Sequence, residues 1–155
     1  LRWPINRPHG DELSDGFFRT LAHLVAEALD HEAPLSLPTS AHPIVAAAMD
    51  YTKEHLASAT AEEVSRAVSV SQRSLRRMFQ ETIGLSWRTY LLNARMLRAM
   101  ALLTEPGQSV QATATAVGFE SLSAFTRCFT QFSGESPSGY RRRTAETARP
   151  VHEPR

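Results

Sequence analysis

The chain contains a single cysteine, Cys128, among 155 residues. One thiol excludes an internal disulfide framework and fits a reducing cytoplasm. No stretch approaches the roughly twenty apolar residues that a membrane-spanning helix needs, so no membrane partner is expected. The first residues lack a signal-peptide pattern. They also lack a starting methionine, which fits a piece of a longer protein. There is no glycine-rich phosphate loop and no HExxH motif. The six histidines are scattered. His23 and His31 could share a helix face, but no further ligand accompanies them, so no metal or cofactor is expected. No strand pattern stands out, which leaves an all-α chain.

Charge is nearly balanced, at a net +1, but unevenly placed. Residues 43–143 hold 12 Lys+Arg against 8 Asp+Glu, a net +4. Residues 1–42 hold 3 against 6, a net −3. The cations therefore gather on one part of the chain, a modest footprint compatible with DNA.

That same part carries an internal repeat. Ser71, Leu75, Arg77, Phe79, Gly84, Ser86 and Tyr90 recur fifty positions on as Ser121, Phe125, Arg127, Phe129, Gly134, Ser136 and Tyr140. Six of the seven are identical. Two copies are too few for a solenoid and indicate a paired-module protein. Ser71 and Ser121 suit helix N-caps. Leu75, Met78 and Phe79 recur at helical spacing, as do Phe125, Cys128, Phe129 and Phe132. Cys128 thus matches Met78 on a core face, and its thiol is expected to be buried and inert rather than nucleophilic. No enzyme activity is expected. Gly84 and Gly134 suit left-handed positions after a helix. Ser86 and Ser136 would cap the next helix. Leu85 could staple against Tyr90, while Glu135 holds the staple place in the second copy.

The repeated arginine is the informative member. Arg77 lies about 200° around a helix from both Leu75 and Phe79, so it points away from the core. A cation recurring on an outward face asks for an external anion or a local acid.

Upstream of each copy lies a shorter apolar segment. Thr60-Ala61-Glu62-Glu63 has capping-box spacing and starts a helix carrying Val64, Ala67 and Val68. In the second copy Val110, Ala114 and Val117 lead to Gly118-Phe119 and Ser121. Short helix, tight turn, capped second helix is the helix-turn-helix pattern, which lays its second helix in the DNA major groove.

Helices are predicted at about 43–56, 60–68, 71–82, 87–103, 109–116, 121–132 and 137–146, with an amphipathic helix over 16–32. Pro43 suits a first helical position, and Pro106-Gly107 stops the fourth of the run. The stretch from Ala33 to His42 reads as a linker. Residues 146–155 read as a flexible tail. The helix from Trp87 to Leu103 spans roughly 25 Å at about 1.5 Å per residue. Successive major grooves on one DNA face are about 34 Å apart, so a stiff connector of that length could hold two recognition helices near that spacing.

Val117-Gly118-Phe119, Ser121, Phe125, Arg127, Phe129, Phe132, Gly134, Ser136-Pro137 and Tyr140-Arg141 together resemble the AraC/XylS signature. So do Arg95-Met96-Leu97-Arg98-Ala99 with Leu102-Leu103, and the first-copy run from Ser71 to Phe79 with Gly84-Leu85-Ser86 and Tyr90-Leu91. The resemblance covers about residues 43–143. It implies an all-α, seven-helix domain at 43–145. Two helix-turn-helix modules, at about 43–85 and 109–145, would be joined by a rigid linking helix at 87–103. It further implies transcription regulation, commonly activation, through double-stranded promoter DNA, with RNA polymerase as a further partner. Residues 1–42 resemble the stretch before this domain in members that carry an N-terminal effector-sensing and dimerisation domain, and read as a remnant of it with a linker. Helix 16–32 is then either a remnant of that domain, through which a homodimer could form, or a helix packed on the DNA-binding part. Ser65, Trp87 and Leu122 depart from the family's usual alanine, proline and polar residue.

Within this reading, base contacts are expected from Arg73, Arg76, Arg77 and Gln80 in the first module, and from Leu122, Ser123, Thr126 and Arg127 in the second. Arginine can grip guanine, glutamine can pair with adenine, and Leu122 could touch a thymine methyl. The Arg77/Arg127 slot can alternatively hold an intramolecular salt bridge. Phosphate contacts are expected from Ser71, Ser121, Arg88, Thr89 and Arg141. Arg141-Arg142-Arg143 has the competing reading of a solvated helix end complementing the dipole. The second functional hypothesis is a helical protein-interaction module that does not read bases.

Overall fold

The computed structural model describes residues 36–147. The helix expected over 16–32 lies outside them. Among the described residues there are seven helices and no strand. They are α1 (Pro43–Glu54), α2 (Ala61–Ala67), α3 (Gln72–Ile83), α4 (Trp87–Leu103), α5 (Val110–Ala116), α6 (Leu122–Ser133) and α7 (Pro137–Thr147). None is long and apolar enough to cross a membrane.

Short helices of this size need capping, because four N–H groups at each start have no partner within the helix. The chain supplies side chains for this. Thr60 and Glu63 form the expected capping box: the Thr60 hydroxyl accepts from Glu63 N–H at 3.2 Å, and the Glu63 carboxylate accepts from Thr60 N–H at 3.0 Å. The hydrogen bonds from Thr60 hold the Glu63 carboxyl below its ordinary pKa. Ser71, Ser86, Ser109 and Ser121 cap α3, α4, α5 and α6. Gly84 and Gly134 end α3 and α6 in the left-handed conformation. Helix α1 stops at Glu54, two residues before the expected end, where His55 leaves helical geometry.

The helices enclose two separate cores. Val45, Val64, Leu75 and Phe79 meet Trp87, Tyr90 and Leu91 in the first. Ala114, Val117, Phe125 and Phe129 meet Met96, Ala99, Leu102 and Leu103 in the second. Helix α4 therefore belongs to both. Edge-on aromatic pairs repeat across the modules: Phe79 with Tyr90 at 5.8 Å and Phe129 with Tyr140 at 5.6 Å.

Two departures from the family's usual residues have local solutions. Ser65 is buried, and its hydroxyl donates to Ala61 C=O at 2.6 Å. Trp87 fills the first core, and its indole N–H donates to the buried Thr52 hydroxyl at 3.0 Å. A buried polar group with a partner avoids the desolvation cost of an unpaired one.

The fifty-residue offset does not extend upstream of the second helix of each module. Four residues separate α2 from α3, and five separate α5 from α6. The extra residue lies in the turn, so the preceding helices are offset by forty-nine. At that offset Ser69 (φ 56°) corresponds to Gly118 (φ 83°), both left-handed. Glycine is required only in the second case. A Cβ at Gly118 would lie 2.1 Å from the Ala57 carbonyl oxygen.

Gly118→Ala is therefore expected to destabilise by about 2–4 kcal/mol, combining left-handed strain with a backbone collision. Ser69→Gly should change stability by less than about 1 kcal/mol, since relief of left-handed strain offsets glycine's extra entropy. Urea denaturation of both variants measures the difference.

Candidate nucleic-acid interface

The recognition faces arise from the same periodicity that builds the cores. On α3, Leu75 and Phe79 are buried, which leaves Gln72, Arg73, Arg76, Arg77 and Gln80 exposed. On α6, Phe125 and Phe129 are buried, which leaves Leu122, Ser123, Arg127 and Thr130 exposed and Thr126 half-buried. The fifty-residue offset pairs these faces residue by residue: Gln72 with Leu122, Arg73 with Ser123, Arg76 with Thr126, Arg77 with Arg127, Gln80 with Thr130 and Glu81 with Gln131.

The second face is an open hollow of about 720 Å³ lined by Leu122, Ser123, Thr126, Arg127, Thr130 and Gln131. Four of these are the expected base-contacting residues of the second module. Gln131 was not among the expected contacts, because its counterpart in the first copy, Glu81, is an acid that nothing marked as DNA-facing. Leu122 is 41% exposed, one of two large hydrophobic side chains so exposed among the described residues.

The repeated arginine has two different surroundings. Arg77 Nε lies 4.0 Å from the Glu81 carboxylate, with both side chains about two-thirds exposed. Such a pair is weak and screened by water. Among the described residues Arg127 has no ion-pair partner, because Gln131 stands where the first module has Glu81. Gln80 is partly committed: its amide donates to Gly84 C=O at 3.1 Å. A bidentate contact to adenine would require that bond to open.

The expected phosphate contacts divide further. A small hollow of about 90 Å³ brings Arg76 beside Gln72, Ser86, Trp87 and Arg88, at the N-terminus of α4. Arg88 is exposed there. Thr89 is engaged locally: its N–H donates to the Ser86 hydroxyl at 3.1 Å, and the two hydroxyls lie 2.8 Å apart. The Ser71 hydroxyl accepts from Ser74 N–H and donates to the Ser74 hydroxyl. The Ser121 hydroxyl accepts from Ala124 N–H at 3.3 Å. Both serines act as caps in this structure.

The three consecutive arginines do not sit at a helix end. Helix α7 continues to Thr147, so they lie in its interior and do not complement its C-terminal dipole. Arg141 donates to Gln108 C=O at 3.0 Å, tying α7 to the loop before α5. Arg143 donates twice to one Glu135 oxygen, at 3.0 and 2.6 Å, and stands over the Tyr140 ring at 5.1 Å. The bond to Glu135 raises the Arg143 pKa above its ordinary value. An ionic brace thus occupies the place where Glu135 rules out a hydrophobic staple.

Arg95 was noted only as part of the family resemblance. Its guanidinium donates to Leu56 C=O at 3.0 Å and to Ala57 C=O at 2.9 Å, and lies 6.0 Å from the Phe119 ring. Partial burial lowers its pKa, though arginine remains protonated. Cys128 packs at the edge of the second core. Among the described residues no group of three His, Cys, Asp or Glu side chains could hold a metal ion.

A helix-turn-helix domain model matches residues 64–143. The chain belongs to the AraC family of DNA-binding transcription regulators. Among curated relatives, the chain is similar to the HTH-type transcriptional activator RhaR of Pectobacterium atrosepticum. Identity is 42% over 73 residues, which are 47% of this chain and 26% of the relative. It is also 28% identical over 120 residues to the Msm operon regulatory protein of Streptococcus mutans, covering 74% of this chain and 43% of that one. The chain spans less than half the length of these relatives. Among solved structures, the DNA-binding domain of AdpA in complex with a target DNA superimposes with a TM-score of 0.63. Its identity is 28%, covering 67% of this chain and 95% of that one. The C-terminal domain of AraT from Geobacillus stearothermophilus gives 0.62 at 30% identity, covering 73% and 92%. Both of the curated relatives carry regulators' names, an operon regulatory protein and a transcriptional activator.

Glu81→Gln would reproduce the second module's arginine–glutamine pair in the first. If the outward arginines meet DNA, loss of one carboxylate beside them should raise duplex affinity at low salt, with the gain shrinking as salt screens it. Folding stability should change by less than about 1 kcal/mol, because the pair is exposed. Anisotropy titrations at two salt concentrations and a urea melt test both parts.

Proposed function

We propose that residues 43–145 form a DNA-binding unit that reads promoter DNA in two places, with α3 and α6 in successive major grooves. The observation that carries this reading is the pair of equivalent exposed faces on α3 and α6, each the second helix of its module. The AdpA domain, whose structure was solved on a target DNA, supports it. Base contacts are assigned to Arg73, Arg76, Arg77 and Gln80 on α3 and to Leu122, Ser123, Thr126 and Arg127 on α6. Phosphate contacts are assigned to Arg88 beside Arg76, and to the unengaged nitrogens of Arg141. Ser71 and Ser121 at the starts of α3 and α6, and Thr89 at the start of α4, are assigned phosphate contacts as well, because the first-turn N–H groups left over from capping favour a phosphate there.

The modules contribute unequally in this proposal. Helix α3 carries three outward arginines and α6 carries one. The first module supplies most of the affinity and guanine reading. The second reads a softer pattern through Ser123, Thr126 and a thymine-methyl contact from Leu122. Activation, rather than repression, follows the activator named among the relatives, with RNA polymerase as the second partner. Residues 1–42 are assigned to the end of a sensing and dimerisation domain with its linker.

Selection from a random duplex pool, followed by anisotropy titration, tests the reading. Two boxes about one helical turn apart are expected. Arg73→Ala with Arg76→Ala should lower specific affinity by at least about tenfold, since each good base contact is worth about 1–3 kcal/mol. Arg88→Ala should weaken all sequences alike and reduce the salt slope by about 1. Equal binding to every duplex would instead support a protein-interaction module.

A further inference from the structure

The two modules share α4 but little else. Among the described residues no helix of the first trio, α1–α3, packs substantially on a helix of the second, α5–α7. Only the middle turn of α4, between Leu91 and Met96, separates the cores. A single helix is an imperfect ruler, because helices bend gently without a second point of attachment. Any bend in that turn would change the angle between α3 and α6.

The structure supplies a second attachment at that turn. The loop after α1 approaches the turn before α6, and Arg95 reaches that loop from α4. Its Nε and Nη2 donate to the carbonyls of Leu56 and Ala57, at 3.0 and 2.9 Å. Two adjacent carbonyls match the rigid fork of a guanidinium, which a lysine cannot reproduce. The same guanidinium lies 6.0 Å from the Phe119 ring, in the second module. Beside it Gly118 closes on Ala57 so tightly that no Cβ fits. The corresponding left-handed residue of the first module is Ser69, which is exposed and needs no such approach. The glycine therefore marks an inter-module contact.

We propose that Arg95 is a positioning residue for DNA binding. By pinning the Leu56–Ala57 loop against the Gly118–Phe119 turn, it sets the angle between α3 and α6 and hence the box spacing that both can engage at once. This rests on the two-groove reading above. Arg95 belongs to neither core, so its loss leaves each module folded and loosens their relation. A looser relation lowers the effective concentration of the second module once the first has bound.

The test uses the whole chain and duplexes in which the distance between the two selected boxes is varied one base pair at a time. The native chain is expected to bind best at one spacing. Arg95→Ala is expected to lose about tenfold at that spacing, flatten the profile across neighbouring spacings, and bind a single-box duplex as the native chain does. Spin labels at Ala67→Cys and Ala116→Cys, in a Cys128→Ser background, read the inter-module distance without DNA. Their distribution should broaden on Arg95→Ala. A spacing profile as sharp as the native one, with an unchanged distance distribution, overturns the proposal and leaves two-groove binding intact. Equal native affinity for one-box and two-box duplexes overturns the two-groove reading instead, and the spin-label distances still decide whether Arg95 holds the modules. If Arg95→Ala does not fold, Arg95→Lys carries the same readouts, because it keeps the charge and loses the fork.

Discussion

The structure depends on α4 lying in two hydrophobic cores at once. Trp87, Tyr90 and Leu91 close the first core, and Met96, Ala99, Leu102 and Leu103 close the second. The short helices on either side draw their stability from this packing, since most helical stability comes from tertiary packing of an apolar face. The placement of the shorter helices follows from that shared burial. Helices α3 and α6 present their polar faces outward because their inner faces are spent on α4 and on their neighbours. The modules cannot separate without exposing one end of α4.

Duplication has left two modules with the same frame and different fittings. The frame consists of serine caps, left-handed glycines and edge-on aromatic pairs. The fittings differ where the surroundings differ. Arg77 has a carboxylate one turn away and Arg127 has an amide. Helix α4 is tied to α1 by a tryptophan–threonine hydrogen bond, while α7 is held by Arg143 on Glu135 and by Arg141 on the Gln108 carbonyl. The outward face of the first module is strongly cationic, and that of the second is mostly hydroxyl, amide and aliphatic. Equal folds therefore present unequal chemistry.

Much of this was legible beforehand, for physical reasons. Helix periodicity separates Leu75 and Phe79 from Arg73, Arg76 and Arg77 whatever the tertiary structure does. Caps such as Thr60 with Glu63 are local, so their spacing alone reveals them. The inner faces, the turns and the outward arginines could all be read from residues within a few positions of each other. Features that join distant segments could not. Nothing in the spacing of Gln80 says that its amide folds back on Gly84. Nothing marks Arg141 as tied to a loop thirty-three residues earlier, or Arg143 as the partner of Glu135.

The amino-acid sequence by itself determined the helices, the duplication, the apolar inner faces of the repeated helices and their exposed faces, because these follow from periodicity and short-range hydrogen bonding. Only the tertiary structure decided how the two modules are held at an angle to one another. That depends on Arg95 meeting the Leu56 and Ala57 carbonyls across thirty-eight or more residues, and on Gly118 closing against the same loop. A carbonyl left free in the loop after one helix and a guanidinium on another have no signature in local spacing. Their attraction becomes visible only when folding has brought them within hydrogen-bond reach.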